Sequence, residues 1–271
     1  MQGSSRGSLA GSQERLESLL GVAGSDGESL GRGLFSVVDL LDANASLRRA
    51  LTDPSHDGAS KAALVAQLLT GKVPSDVLDV VSGVVRERWS RGRDLPDALD
   101  QLAVHAVLAG AQSAGRLDRV EDELFRFERL VAADRQLAQA LGDRAAPAQS
   151  KVALLDTLLA TRAAPETRTL VRRAVVAGRG LHLADALEGY IELAAVRRER
   201  LVASVRVAVP LDDAQRQRLT TALGRLYGKP VHMNVDLDPS VLGGIRVEIG
   251  DEVLDGTIVR RLDDVRRRLA S

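Results

Sequence analysis

The residue types best suited to chemistry are scattered along this sequence. The histidines lie at positions 56, 105, 182 and 232, and none has a partner at the spacing of a metal site or a catalytic triad. Three consecutive acidic residues, Glu121 to Glu123, lie where helical periodicity predicts a solvated face. A pair of carboxylates working as acid and base is therefore improbable there. We expect no catalytic residue and no metal site.

The glycine clusters do not match a nucleotide-binding loop. Gly178-Arg179-Gly180 and Gly243-Gly244 lack both the Lys-Ser/Thr of a phosphate loop and the spacing of a dinucleotide fingerprint. The sequence contains no cysteine, which excludes disulfides, thiolate metal sites and cysteine nucleophiles. We expect no cofactor.

Charge and hydropathy argue against two further classes of protein, nucleic-acid binders and membrane-spanning proteins. The 271 residues carry 37 basic and 37 acidic side chains, whereas binding to nucleic acid through phosphates needs a basic excess. A weak nucleic-acid binder stays an alternative, and salt-dependent retention on nucleic acid would support it. No apolar run approaches the 18 or so residues that a membrane-spanning helix needs. We therefore expect a protein that reaches a membrane only through other subunits.

The first 200 positions show a helical pattern. Leu117, Val120, Leu124, Phe127 and Val131 are spaced by three or four residues, which places them on one face of an amphipathic helix. Similar apolar stripes recur up to about residue 200, and glycines and prolines separate them. This part of the chain is predicted to form helical bundles with an aliphatic core.

The helical part contains an internal repeat of 90 residues. Residues 34–69 and 124–159 share 14 identities in 36 positions, where chance would give roughly three. The repeat predicts a helical-bundle unit at 11–100 and a second helical-bundle domain at 101–200, after a flexible N-terminus at 1–10. The glycine-rich stretch 21–33 is predicted to be less ordered than its counterpart 111–123.

After residue 200 the apolar period changes to two. Alternating runs at 201–209, 231–237 and 245–249 predict strands, with a helix between the first two and a short fourth run at 253–254. A last apolar stripe predicts a C-terminal helix. Residues 201–271 are therefore expected to form a β-α-β-β-α domain, so the whole chain is mainly α with a small α+β C-terminal domain.

The C-terminal segment carries a pattern of acidic residue, proline, Leu-Gly-Gly, alternating strand, Gly-Asp and Asp-Gly-Thr. Its members are Asp238, Pro239, Leu242, Gly243, Gly244, Ile245, Val247, Gly250, Asp251, Asp255, Gly256 and Thr257. This pattern resembles the C-terminal signature of the delta subunit of F-type ATP synthase, the family that includes the oligomycin sensitivity-conferring protein. Thr257 replaces the more usual serine. The resemblance covers about 101–271, and the preceding residues suggest a long form with a duplicated helical domain.

The resemblance implies a non-catalytic stator subunit of a bacterial ATP synthase, located peripherally at the cytoplasmic face of the cell membrane. In that family the helical domain binds an N-terminal helix of the alpha subunit in an apolar groove. The C-terminal domain binds the C-terminal end of the membrane-anchored b subunit. Together these contacts hold the catalytic head against the torque of the rotor. The sequence does not indicate what the extra unit 11–100 binds.

Candidate contact residues follow from this resemblance. For the alpha-subunit helix they are Val104, Val107, Leu108, Leu170, Ala174 and Val175. For the b subunit they are Gly243, Gly244, Ile258, Leu262, Val265 and Leu269. The alternative is that these residues are ordinary core, because apolar stripes most often face their own core. At the level of the whole protein, the alternative is a helix-binding adaptor of the same fold outside ATP synthase, which the neighbouring genes would distinguish.

Overall fold

The computed structural model describes residues 3–21, 25–143, 145–159, 162–177, 182–199, 201–227, 231–238, 241, 244–249 and 252–255. It divides into two compact units, a helical unit that extends to Ala195 and a C-terminal unit that begins at Val196. The predicted fold class, mainly α with a small α+β C-terminal domain, is confirmed. No helix within these ranges combines the length and apolar character needed to cross a bilayer.

The first helices of the helical unit belong to the N-terminal repeat. They are α1 (Ser4–Leu20), α2 (Gly27–Ala43), α3 (Ala45–Thr52), α4 (Gly58–Leu69) and α5 (Ser75–Arg86). The expected flexible N-terminus at 1–10 is wrong for residues 4–10, which lie in α1. The Ser5 hydroxyl donates to the Asp94 carboxylate at 2.7 Å, and the Ser8 hydroxyl donates to the Arg88 carbonyl at 2.8 Å. Buried serines with partners hold this serine-rich helix in place.

The second repeat follows a long connecting helix. That helix is α6 (Asp94–Ser113), and after it come α7 (Leu117–Ala133), α8 (Arg135–Gly142), α9 (Ala148–Leu159), α10 (Pro165–Val176) and α11 (Leu183–Glu199). Helices α2 to α5 and α7 to α10 have bounds that differ by 90 residues at both ends, as a duplication requires. Shifted by the same 90 residues, α6 overlaps both α1 and α11.

Helix α6 joins the two repeats instead of separating them. The boundary expected between residues 100 and 101 falls inside α6, and both repeats belong to one compact unit. This corrects the predicted division into units 11–100 and 101–200. Thirteen of the 20 residues of α6 are buried, and a helix that is apolar on most sides lies at the centre of a protein.

The C-terminal unit contains β1 (Leu201–Val207), α12 (Asp213–Tyr227), β2 (Val231–Leu237), β3 (Ile245–Ile249) and β4 (Glu252–Asp255). The sheet order is β2-β1-β3-β4, in which β1 runs parallel to β2 and antiparallel to β3. Alternate residues Ala203, Val205 and Val207 point into a core that Leu223 of α12 covers. The strands and α12 therefore agree with the predicted periodicity. The predicted last helix lies outside the described residues.

Candidate helix-binding site

The six residues expected to bind the alpha-subunit helix are all buried in the core of the helical unit. None is more than 6% exposed: Val104, Val107, Leu108, Leu170, Ala174 and Val175. The structure brings them together on α6 and α10, which pack against one another. It leaves no open groove among them, so none of the six is accessible to a partner helix in the described structure. We call the surface between these two helices the α6–α10 groove.

Helix α2 of the first repeat fills the α6–α10 groove. A Cβ atom on Gly27 would lie 2.4 Å from the Ala106 carbonyl oxygen, and one on Gly31 would lie 2.4 Å from Cγ2 of Val107. Both distances are shorter than a Cβ atom can tolerate. The backbone of α2 can approach α6 this closely only because positions 27 and 31 are glycine. The stretch 21–33 was expected to be less ordered than 111–123, yet residues 27–33 begin α2 just as 117–123 begin α7; residues 22–24 lie outside the described ranges.

A buried arginine joins α2 to α10 and α6. The Arg173 guanidinium is bonded to the carboxylate of Asp39 on α2 at 2.6 Å and to that of Asp100 on α6 at 2.7 Å. It also lies 4.7 Å from the centre of the Phe35 ring, within the range of a cation–π interaction. The side chain of Arg173 is 4% exposed. One charged group therefore connects both repeats across the groove.

Electrostatics around Arg173 favour its charged form. Burial lowers the pKa of the guanidinium, but the carboxylates of Asp100 and Asp39 more than offset this effect and raise it above its ordinary value. Burial, with the nearby Asp100 carboxylate, also raises the pKa of the Tyr190 phenol. Arg173 and Tyr190 therefore keep their protons at neutral pH, which suits a structural link between the helices.

A second polar contact fixes the other end of α2. The Thr169 hydroxyl of α10 donates to the Glu28 carboxylate of α2 at 2.7 Å. Glu28 and Asp39 are separated by 11 residues, so their contacts span three turns of α2. Helix α2 is therefore held along most of its length by an apolar stripe and by polar contacts at both ends.

The residues expected to bind the b subunit fall mostly outside the described part of the chain. Gly243, Ile258, Leu262, Val265 and Leu269 lie there, and Gly244 is exposed with φ of +92°. A positive φ is a conformation that glycine adopts without strain, which agrees with a turn before β3. Across the described ranges, no three His, Asp or Glu residues come together as a group that would hold a metal ion.

Sequence reasoning missed the residues that close the groove. The glycines Gly27 and Gly31 predict disorder from their type alone, and no sequence motif marks Asp39 or Arg173. A signal was available, because Gly27 and Gly31 are four residues apart and small residues are similarly spaced on α6. Their counterparts at a shift of 90 are Leu117 and Glu121, so glycine is special to the first repeat.

Comparison with known proteins identifies the family. The model described as ATP synthase delta (OSCP) subunit matches residues 103–269, more than half of the chain. The chain belongs to the ATP synthase delta (OSCP) family. This confirms the resemblance carried by the C-terminal segment. It also identifies the chain as a structural, non-catalytic component of an ATP synthase.

Relatives of the delta family share the whole length of the chain. ATP synthase subunit delta of Streptomyces coelicolor is 51% identical over 271 residues, with 100% of this chain and 99% of the relative covered. The subunit of Streptomyces griseus is 49% identical, with both chains fully covered, and that of Kineococcus radiotolerans is 47% identical over 99% and 97% of the two chains. The first repeat precedes the family match, yet these full-length delta subunits include it.

Proposed function

We propose that this delta subunit is the peripheral-stalk link of the proton-translocating F-type ATP synthase. It connects the alpha/beta catalytic head to the membrane-anchored b subunit and resists the torque of the rotor. The observation that carries the proposal is full-length similarity to proteins named ATP synthase subunit delta. The fold supports it, because two compact units with separate aliphatic cores offer one surface to each partner. The protein is placed peripherally at the cytoplasmic face of the membrane through these partners.

For the head, we propose that the helical unit binds the N-terminal helix of the alpha subunit. The contact uses a surface other than the α6–α10 groove, because α2 covers that groove. An isolated amphipathic helix buries its apolar stripe most effectively in a groove between helices. The helical unit contains packed helix pairs such as α4 with α5 and α9 with α10, which supports this assignment.

For the stalk, we propose that the C-terminal unit binds the end of the b subunit through Gly243, Gly244 and the apolar stripe Ile258, Leu262, Val265 and Leu269. A contact through several apolar side chains is durable because each contributes about 1.5–3 kcal/mol on burial. The stripe recurs every three or four residues, as a helix requires to present one face to a partner.

The b contact is tested with the full chain and a soluble fragment of the b subunit from the same complex. Leu262→Asp should weaken capture of the fragment at least tenfold, because a carboxylate would enter an apolar interface. Val209→Asp is the matched control, since Val209 is 70% exposed in the same unit. Equal capture by wild type, Leu262→Asp and the control would contradict the assignment.

The head contact is tested with a peptide of the alpha-subunit N-terminus and with the isolated catalytic head. Both probes should bind the full chain at micromolar concentration or below. If neither binds, the proposed role as a link to the head is wrong, whatever the C-terminal unit does.

A further inference from the structure

Helix α7 exposes a phenylalanine that its counterpart in the first repeat buries. Phe125 is 53% exposed, whereas Phe35, which lies 90 positions earlier on α2, is only 7% exposed. Phe35 is covered because α2 packs on α6 and α10, where the ring lies 4.7 Å from the Arg173 guanidinium. The duplication therefore gives α7 the aromatic residue that α2 packs against α10, but on α7 the ring stays exposed.

The side chains around Phe125 are mainly acidic. With about 100° of rotation per residue, four carboxylates lie within about 60° of Phe125 on the side that we call the Phe125 face. They belong to Asp118, Glu121, Asp122 and Glu128, which are exposed or half-buried. Asp122 is paired with Arg126 at 2.8 Å. Among the residues of α7, Arg129 is the one cation within the same angle, so the Phe125 face is acidic on balance.

The contact between α2 and α10 shows what such a face binds within this molecule. Two groups of α2 contact α10, the Glu28 carboxylate, which accepts from the Thr169 hydroxyl, and the Phe35 ring, which lies beside the Arg173 guanidinium. A shift of 90 residues converts Glu28 to Asp118 and Phe35 to Phe125. Helix α7 therefore repeats an acid and a ring, seven residues apart, that α2 uses to bind an arginine-bearing helix.

The Phe125 face differs from α2 in how near a partner helix can come. Where α2 has Gly27 and Gly31 against α6, α7 has Leu117 and Glu121. A helix seated on α7 is therefore held farther from the backbone, and it must reach the face with long side chains. Arginine and lysine have such side chains, whose apolar stems cover apolar surface while their charged ends meet carboxylates. Their cations also bind the face of an aromatic ring.

We infer that the Phe125 face is a docking surface for a basic helix, one that presents arginine or lysine to α7. The ring and the carboxylates are already in place on α7, and the partner supplies the cations. Complementary charge across the interface speeds association and fixes the orientation of the partner. The inference rests on the proposed function in one respect: the basic helix belongs to another subunit of the ATP synthase.

The test is photo-crosslinking in the assembled ATP synthase. The full chain, with p-benzoylphenylalanine in place of Phe125, is incorporated into the complex and irradiated, and mass spectrometry identifies the peptide that is joined to position 125. The expected product is a helical segment of another subunit with arginine or lysine on the side that meets α7.

Charge reversal in the same cross-linking chain tests the acidic part of the face. Asp118→Arg combined with Glu128→Arg should lower the cross-linking yield about tenfold, because like charges would then meet across the interface. The matched control is Asp185→Arg combined with Glu192→Arg, at exposed positions of α11. Asp118 and Asp185 both lie in the first turn of their helices, so the two pairs are alike in charge and setting. The control yield should stay within about twofold.

The outcomes separate the docking surface from the proposed function. Loss of the cross-link with the α7 pair alone supports the surface, and equal yields in both pairs overturn it. No cross-link from position 125, in a complex that contains the chain and couples proton transport, overturns the surface and leaves the proposed function standing. A cross-link to an acidic or wholly apolar segment, or to a second copy of this chain, overturns the basic partner.

A chain that does not enter the complex overturns both proposals. Circular dichroism of each variant checks that the helices are retained. If the Asp118 and Glu128 pair does not fold, Glu128→Arg alone decides, because Glu128 lies in the middle of α7 and is half-buried.

Discussion

Replacing Gly27 with alanine tests how α2 is held in the α6–α10 groove. The new Cβ would lie 2.4 Å from the Ala106 carbonyl oxygen and 2.7 Å from the Gly110 nitrogen, and both are backbone atoms that cannot rotate away. Overpacking of this kind costs about 1–3 kcal/mol. Alanine at the first residue of a helix recovers less than the roughly 1 kcal/mol seen in a helix interior. We expect a net loss of about 2 kcal/mol in the free energy of unfolding.

A matched control makes the sign of the change decisive. Gly189 lies in α11, and a Cβ there would have no heavy atom within 4 Å. Gly189→Ala should therefore stabilise the helical unit by about 0.5–1 kcal/mol, from helix propensity alone. The two substitutions are chemically identical, yet they should shift stability in opposite directions.

Urea unfolding followed by the fluorescence of Trp89 is a suitable assay. Trp89 is the single tryptophan, is 7% exposed and donates its indole N–H to the Val84 carbonyl at 3.0 Å, so it reports on the helical unit. With a slope of about 2–3 kcal/mol per molar urea, Gly27→Ala should lower the midpoint by nearly 1 M. If Gly27→Ala instead stabilises the unit as Gly189→Ala does, then α2 does not approach α6 closely and the account of the filled groove is refuted.

Three further predictions concern buried and partly buried charges, each measured by the same urea assay. Arg173→Met should cost about 3 kcal/mol of unfolding free energy, because it removes a 4%-exposed guanidinium that is paired with the Asp100 carboxylate. No loss of stability would refute the link. Arg116→Met should cost about 2 kcal/mol of unfolding free energy, since it removes the partner of Glu166, which is 1% exposed, although Arg116 itself is partly solvated. A change below about 0.5 kcal/mol, which is typical of an exposed ion pair, would contradict this prediction. Burial raises the pKa of Glu123, but hydrogen bonds from the Thr167 hydroxyl, the Ala164 amide and Arg119 lower it below the ordinary value of 4.5. The ionised Glu123 carboxylate therefore contributes stability that is complete above pH 4.5 and is lost as the pH falls through its lowered pKa. Glu123→Gln should flatten the acid limb of the curve of unfolding free energy against pH, and an unchanged limb would exclude this role.

The sequence predicted the elements well because their causes are local. Apolar spacing indicated the helices, and alternation at Ala203, Val205 and Val207 indicated the first strand and its buried face. Asp57 caps α4, since its carboxylate accepts from the Ser60 amide at 2.7 Å, and an aspartate just before an apolar helical run is a local signal of this kind. The repeat was visible because equivalent core positions kept the same residues.

What the sequence did not predict depends on packing between repeats. Identity between copies suggested two similar units side by side, but it contains no information on how one copy contacts the other. That contact arises where the copies differ, at Gly31 against Glu121 and at Arg173 against Gly83. An apolar stripe has the same sequence pattern whether it binds a partner or faces its own core. The sequence therefore predicted Val107 and Leu170 as lining a binding groove, although α2 covers them in the structure.

The most direct test of the central proposal is reconstitution of coupled proton transport. Membrane vesicles with the ATP synthase of the same organism are stripped of their catalytic heads, and heads lacking this subunit are added back with or without the full chain. The account predicts that ATP-driven acidification of the vesicles returns only when the chain is present and saturates at a fixed ratio to the heads. Equal acidification with and without the chain would contradict its role as the link between head and stalk.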